Sequence, residues 1–148
     1  MDSGGKPILG SEVFVDAGAW IAVSIVRDDH HGPAVEIYRR LSQDARTLVT
    51  TNLVIAEAYA LVRRRGGHVV GMRFLESLRQ SSRLVKLHSD SEIEERAEAI
   101  LARYSDHDFS YVDAVSFAVM RQRRIAEAFA FDPDFLTAGF ALLPAPLA

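Results

Sequence analysis

Short strand-like runs alternate with longer helical segments along this 148-residue chain. The runs are rich in β-branched and aromatic residues, whereas the segments between them carry apolar residues at helical spacing. The runs are EVFV (12–15), TLVTT (47–51), SRLVKLH (82–88), EAFAFD (127–132) and FALLP (140–144). This alternation predicts an α/β fold, a three-layer α/β/α sandwich around a central, mostly parallel sheet of four to five strands.

The helical segments have recognisable ends. One helix is predicted to begin at Pro33, which suits a first-turn position, and another to run from Asn52 as N-cap to Gly66 as its stop. Further helices are predicted over residues 19–27, 68–81, 89–105 and 110–124. No repeat or linker divides the chain, so we expect a single domain over residues 13–143. Residues 1–12 and 144–148 are expected to form loosely held tails.

Composition excludes several kinds of site. The chain has no cysteine, which rules out disulfides, thiolate zinc sites and cysteine nucleophiles and fits a reducing compartment. The first residues lack the pattern of a secretory signal, and no run reaches the about 18 apolar residues of a membrane span. We therefore expect a cytoplasmic protein that does not contact a membrane.

The charge distribution leaves two interpretations of the basic residues. A net charge of -3 disfavours nonspecific coating of nucleic acid, which depends on cations meeting phosphates. Arginines nevertheless cluster at 39–40, 63–65 and 121–124. They could be solvated helix ends, where cations offset the helix dipole, or a stripe that contacts phosphates.

Four acidic residues fall where such a sheet would place a functional site. In open α/β sheets, ligands bind outside the carboxyl ends of the strands. Asp16 ends VFVD, and Asp132 ends AFAFD. Glu57 lies about one and a half turns into the helix after TLVTT, and Asp113 lies in the first turn of the helix that precedes AFAFD. We expect all four carboxylates at the same edge of the sheet.

Three of these acids also have a purely structural interpretation. Asp16 could cap the helix that follows it, and Asp132 could form an Asx-turn. Ser110 and Asp113 have the spacing of a capping box, with Asp in place of the usual Glu. Taken singly, each of these residues fits a local role as well as a functional one.

Glu57 resists a local explanation. It is the single charged residue in LVIAEAYALV (53–62), and it lies too deep in its helix for a capping box. No lysine or arginine stands three or four residues away to pair with it. We expect it to be buried, and a buried carboxylate must protonate or be compensated. A distant arginine could compensate it, or it could belong to a shared acidic site.

Convergence of these acids would require a cation. Carboxylates that gather at one strand edge repel one another, which raises their pKa values and destabilises the fold. Oxygen ligands without thiolates favour Mg²⁺ or Mn²⁺. Such an ion can activate a water and stabilise charge that develops on a phosphodiester.

At this point the chain resembles the PIN-domain nucleases, in particular the VapC-type toxins of bacterial and archaeal toxin-antitoxin pairs. The matching stretches are VFVDAGAWIA, TTNLVIAEAYALV, SYVDAVSFAVM and AFAFDPDF, in the family's order, from about residue 13 to residue 140. The resemblance implies an α/β/α sandwich and a Mg²⁺- or Mn²⁺-dependent endoribonuclease. It also implies a homodimer that a cognate antitoxin protein neutralises.

Site roles follow from the resemblance. Asp16 and Asp113 would ligate the metal most directly, Glu57 would hold a water or act within the acid cluster, and Asp132 would complete the cluster. Plausible supporting groups are Thr51, Ser110 and Asp134, because hydroxyls and outer carboxylates commonly orient ligands. Between the two last aspartates, we expect Asp132 to matter more, since it directly ends the strand.

Three alternatives compete with this interpretation. A phosphotransfer domain of receiver or haloacid-dehalogenase type also places acids at strand ends, but the two lysines, Lys6 and Lys86, do not supply the late strand-end lysine of such sites. A non-catalytic RNA- or protein-binding module could keep the same fold. Finally, His30-His31 and the DHD run at 106–108 have ligand chemistry, although adjacent loop residues are poorly placed to close a zinc site.

Overall fold

Five parallel strands form one sheet in the computed structural model, which describes residues 11–146. The strands are β1 (Glu12–Val15), β2 (Thr47–Thr51), β3 (Leu84–Leu87), β4 (Glu127–Phe129) and β5 (Ala141–Leu143). Their order is β3-β2-β1-β4-β5, and every neighbouring pair is parallel. The predicted parallel sheet is confirmed.

Six helices connect the strands and form the outer layers. They are α1 (Ala17–Ser24), α2 (His31–Gln43), α3 (Asn52–Gln80), α4 (Ser91–Arg103), α5 (Tyr111–Arg123) and the short α6 (Asp134–Thr137). Helices α2 and α3 pack on α1, and α4 packs along α5. Because crossovers between parallel strands are right-handed, the helices leading from β1 to β3 cover one face of the sheet, and those leading back to β4 cover the other.

Some helix boundaries differ from the sequence predictions. Helix α2 begins at His31, two residues before Pro33. The N-cap of α3 is Thr51, whose hydroxyl accepts a hydrogen bond from the amide of Val54 at 3.1 Å. The side chain of Asn52, which was predicted to be the cap, accepts a hydrogen bond from the amide of Ser89 instead, at 3.1 Å. Helix α3 therefore starts directly at the end of β2, without an intervening loop.

Helix α3 bends sharply at Gly67. The backbone of this residue has φ 88° and ψ 179°, a conformation that residues with a Cβ rarely adopt. The predicted stop at Gly66 lies one residue before this break. The two halves of α3 correspond to the two helices that the sequence predicted on either side of the glycine pair.

The order of strands creates a crevice between β1 and β4. From β1 the chain moves to β2 and β3 on one side, and from β4 it moves to β5 on the other. The helices that follow these two strands therefore diverge, and a space opens at the carboxyl ends of the strands. Residues Val13, Phe14 and Val15 of β1 are fully buried, so the crevice lies at the end of the central strand of the core.

Both predicted tails extend beyond the described residues. The predicted tails at 1–12 and 144–148 lie largely outside residues 11–146, and β1 already begins at Glu12. No helix within the described part of the chain has the length and apolar character needed to cross a membrane.

Candidate metal centre

Asp16 lies at the floor of the crevice. It follows β1 directly, and its amide donates to the carbonyl of Phe129 at 3.1 Å, which joins it to the end of β4. It occupies the N-cap position of α1, but its side chain makes no capping hydrogen bond. The residue is only 7% exposed. The predicted capping role is therefore not what holds this carboxylate in place.

The environment of Asp16 disfavours its charge. Burial raises the pKa of the carboxyl group, the amide of Ala17 partly opposes this, and the neighbouring charges of Asp113, Glu57 and Asp132 raise it further, to about 7. The three other acids predicted for the site thus act on the carboxyl group of the fourth, Asp16. The predicted convergence at the strand edge is present in the structure.

Asp113 is fixed by the start of α5. The Ser110 hydroxyl accepts a hydrogen bond from the amide of Asp113 at 3.0 Å, and Oδ2 of Asp113 accepts one from the amide of Ser110 at 3.1 Å. This is a complete capping box, so Ser110 orients the carboxylate. Burial raises the pKa of Asp113, the two contacts with Ser110 lower it, and the charge of Asp132 raises it. The capping role and a place in the acid cluster coexist.

Asp132 and Asp134 lie on the turn that follows β4. Oδ1 of Asp132 accepts a hydrogen bond from the amide of Asp134 at 2.9 Å, which is the predicted Asx-turn. Phe135 is fully buried, and its ring packs against those of Phe14 and Phe117 with centroids 6.3 and 5.0 Å apart. This packing anchors α6 and holds the turn beside α5.

Three carboxylates are close enough to share one ion. One oxygen from each of Asp113, Asp132 and Asp134 lies within 4.8 Å of the other two. Burial and the charges of Asp132 and Asp113 raise the pKa of Asp134. The charge of His107 lowers this pKa, and the charge of Asp108 raises it. Asp134 was predicted to support the site from outside, yet it stands within the closest group. The short helix α6, which the sequence pattern did not predict, places Asp134 in this group.

Glu57 reaches the cluster from α3, but it is not buried. The buried residues on that part of the helix are Val54, Ala58 and Val62, at a spacing of four, and Glu57 lies beside this stripe on an exposed face. The prediction of a buried Glu57 is wrong, because this side of α3 faces outward and also exposes Ala56 and Ala60. Partial burial of the carboxylate and the charges of Asp113 and Asp132 raise its pKa.

Thr51, at the end of β2, was predicted to support the site through its hydroxyl, and this hydroxyl has a structural hydrogen-bond partner. Thr51 is fully buried, and its hydroxyl caps α3, as described above. It sets where α3 starts and therefore where Glu57 lies.

No lysine or arginine of the described residues forms a salt bridge with the acids. Within residues 11–146, none of the salt bridges includes Asp16, Glu57, Asp113, Asp132 or Asp134. Each arginine cluster instead contributes a pair elsewhere: the 39–40 pair to Glu36, Arg65 to Asp28 and Arg123 to Glu12. A distant arginine therefore does not neutralise Glu57 in the described part of the chain.

The histidines do not form a zinc site of their own. Within the described residues, the group positioned to hold a metal ion contains aspartates and no histidine. His107 contacts Asp106 at 2.9 Å, and His31 contacts the carbonyl of Ala22 at 2.7 Å. The site is therefore one of carboxylate oxygens, which suits a hard divalent cation.

Comparison with known proteins decides the family. The family model described as PIN domain matches residues 13–141. The chain belongs to the PIN domain family. The expected fold and family are thus confirmed.

Among its relatives are ribonucleases of the VapC type. The chain is 36% identical over 128 residues to a Mycobacterium tuberculosis protein named 23S rRNA-specific endonuclease VapC20. The aligned region covers 86% of this chain and 95% of that protein. It is 27% identical over 114 residues to a VapC ribonuclease of Archaeoglobus fulgidus, covering 76% of the chain and 72% of that protein. The expectation of a VapC-type PIN nuclease is confirmed.

Solved structures agree with the fold. The crystal structure of Mycobacterium tuberculosis VapC20, titled a sarcin-ricin loop cleaving toxin, matches with a TM-score of 0.78 and 35% identity over 87% of this chain and 96% of that one. FitAcB from Neisseria gonorrhoeae matches with a TM-score of 0.59 at 15% identity, over 88% of this chain and 95% of that one, and supports the fold alone.

Proposed function

We propose that this PIN domain is a Mg²⁺- or Mn²⁺-dependent endoribonuclease and the toxin of a type II toxin-antitoxin system. One observation carries the metal dependence: carboxylates converge at the β1–β4 crevice, and within the described residues none of them forms a salt bridge with a lysine or arginine. Burial raises their pKa values most, and the negative charge of neighbouring carboxylates raises them further. A divalent cation would offset that negative charge.

The residues present fit such an ion. All donors are carboxylate oxygens, which Mg²⁺ and Mn²⁺ prefer. We propose that Asp16 and Asp113 hold the ion, as the resemblance implies, and that Asp132 and Asp134 complete its surroundings. When bound, the ion supplies Lewis acidity toward a phosphate oxygen. The carboxylates fix its position, and Ser110 fixes the orientation of Asp113 through the capping box.

Glu57 has a different role in this proposal. It is the one acid of the set on an exposed helix face, so solvent and substrate reach it. We propose that Glu57 orients a water for attack on the scissile phosphate and accepts its proton. Thr51 acts indirectly, because its cap determines where α3 and Glu57 stand relative to the crevice.

The substrate and partners follow from the relatives. VapC20 is named for 23S rRNA and its structure for the sarcin-ricin loop. At 36% identity over most of both chains, we propose a structured RNA loop of the same kind as the substrate. We further propose a homodimer, which light scattering on the purified protein would measure, and inhibition by a cognate antitoxin, which co-expression would reveal as restored growth of a host that the toxin arrests.

Cleavage of a defined RNA tests the proposal. Protein stripped with EDTA is mixed with a sarcin-ricin hairpin, a hairpin of scrambled loop sequence, and the DNA version of the first, and Mg²⁺ or Mn²⁺ is then titrated. We expect cleavage of RNA only, and only with metal. Asp113→Asn should lower the rate at least about 100-fold, as loss of other groups that stabilise a transition state does.

A matched control removes the same charge elsewhere. Asp44 is exposed and ends α2, so Asp44→Asn changes net charge equally without touching the crevice. Wild-type cleavage in EDTA would reject metal dependence. Wild-type rates in Asp113→Asn would reject the assigned site and favour a binding module with contaminating activity. Equal cutting of both hairpins would reject the loop as the recognised feature while leaving the nuclease assignment standing.

A further inference from the structure

An aromatic pair stands at the rim of the acid cluster. The ring of His30 lies against that of Phe131, with centroids 4.2 Å apart and planes 10° from parallel. Phe131 immediately precedes Asp132, so the pair adjoins the carboxylates on the turn after β4. His30 is exposed, and within residues 11–146 its ring has no other aromatic neighbour. One face of the His30 ring thus rests on Phe131, and the residue is open to solvent.

The lower half of the pair is anchored in the core. Phe131 is half-buried, and its ring meets that of Phe129 edge to face, with centroids 6.3 Å apart. Phe129 is fully buried in β4. The buried strand β4 therefore fixes the position of the Phe131 ring, and with it the aromatic pair, relative to the crevice.

The upper half is held by a network of hydrogen bonds. The amide of His30 donates to Oδ1 of Asp28 at 2.9 Å, and Arg65 donates to Oδ2 of the same carboxylate at 2.8 Å. Arg27 in turn donates a hydrogen bond to the carbonyl of Arg65 at 3.0 Å. This carbonyl lies near the end of a helical segment, because α3 breaks at Gly67. The loop that carries His30 is thus tied to α3, so the pair is held in place before any ligand arrives.

We infer that His30 and Phe131 form a stacking platform for an unpaired nucleobase beside the scissile phosphate. The inference rests on the proposed ribonuclease function. Bases splayed out of RNA loops stack on histidine and phenylalanine rings, and such stacking tolerates different bases. Because the platform adjoins Asp132, a stacked base lies next to the acid cluster.

Stacking on this platform would offset electrostatic repulsion between the acid cluster and the RNA phosphates. The acids of the crevice carry charge that repels phosphates, and no lysine or arginine of the described residues pairs with them. Binding energy at this rim that does not depend on charge would offset part of that repulsion. A preformed stack supplies such energy through ring contact.

Kinetics of paired variants tests the platform. His30→Gln keeps a polar side chain and removes the ring, whereas His30→Phe keeps the ring and removes the imidazole. On the shortest RNA hairpin that the wild type cuts, we expect His30→Gln to raise KM about 5- to 150-fold with little change in kcat. His30→Phe should restore KM to near the wild-type value. His68→Gln, the same change on the exposed far half of α3, should have no effect.

Abasic substitutions identify the stacked nucleotide. One at a time, the nucleotides flanking the cleaved bond are replaced by abasic residues. For one position we expect the wild-type KM to rise as much as in His30→Gln, and the same RNA should cause no further rise in that variant. A fold check by thermal melting accompanies each variant, and Phe131→Leu, which keeps an apolar side chain without a ring, provides a second route to the same loss.

The outcomes separate this inference from the proposed function. Unchanged KM in His30→Gln, a His30→Phe variant as impaired as His30→Gln, or abasic effects that simply add to the His30→Gln effect would each reject the platform while leaving the nuclease intact. A wild-type protein that cuts no RNA with either metal would reject the proposed function itself, and the platform with it.

Discussion

Two aspartates near the two ends of α1 have opposite electrostatic environments. At the end of β1, burial and three neighbouring acids raise the pKa of Asp16 to about 7. After α1, burial of Asp28 would also raise its pKa, but hydrogen bonds from the His30 amide and Arg65 outweigh this and lower it. The first residue thus weakens the metal-free fold at neutral pH, whereas the second strengthens it. Neighbours, not residue type, decide which carboxylate is available for an ion.

Loss of cleavage is the largest effect that this comparison predicts. Asp16→Asn should reduce metal-dependent RNA cleavage at least about 100-fold, because it removes a carboxylate from the crevice. Asp28→Asn removes the same charge from an ion pair outside the cluster and should retain kcat within about threefold. Single-turnover rates at saturating metal measure both. Equal loss in the two variants would abolish the distinction between the regions.

Metal-free stability should respond to pH with opposite signs in the two regions. The folded-state pKa of Asp16 exceeds its unfolded value of 3.8, so between these two values unfolding is accompanied by release of a proton. The free energy of unfolding therefore falls as pH rises from about 4 to about 7. Asp16→Asn should therefore stabilise the protein at pH 8, by about 2 to 4 kcal/mol, and far less at pH 4. Urea unfolding in EDTA at both pH values measures this. A variant less stable than wild type at pH 8 would contradict it.

Metal should stabilise the wild-type fold. An ion at 100 times its Kd adds about 2.7 kcal/mol to the free energy of unfolding, since it binds the folded state alone. Thermal melts with increasing Mg²⁺ or Mn²⁺ should show a rising Tm in the wild type and in Asp44→Asn. In Asp113→Asn the rise should shrink or vanish. The same rise in all three proteins would place the binding outside the crevice.

The smallest effect concerns the Asp28–Arg65 pair. The pKa of Asp28 is lowered in the folded state, so its contribution is present above the unfolded value of 3.8 and lost as pH falls. The Arg65 side chain is 40% exposed, and such pairs contribute about 0 to 1 kcal/mol. Asp28→Asn should thus destabilise slightly at pH 7 and not at pH 3. Stabilisation at pH 7 would mean that this carboxylate resembles Asp16.

Local patterns accounted for much of the fold. Strands of β-branched and aromatic residues and amphipathic helices predicted the parallel sheet, because these periods follow from backbone geometry. Boundaries were less predictable: Thr51 took the cap expected of Asn52, since the side chain of Asn52 found a partner near α4. The four-residue α6 is too short to show a helical period, so the position of Asp134 was missed.

The candidate site shows the same division. Acids at strand ends and in a first turn were visible in the chain, because a parallel sheet brings such positions to one edge. The exposure of Glu57 was not visible, because the apolar residues on both sides of it in the sequence predicted a buried helix. The stack of His30 on Phe131 joins residues a hundred positions apart, and no periodicity reports such a contact.

The sequence by itself predicted that Asp16, Glu57, Asp113 and Asp132 would meet at one edge of a parallel sheet, and it excluded cysteine as a partner in their site. Only the tertiary structure decided that Asp134 joins Asp113 and Asp132, that Glu57 faces solvent, and that an aromatic pair borders the cluster. The reason is physical: strands and helices follow from local pattern, whereas strand order and the distances between side chains depend on how turns, caps and buried rings pack together.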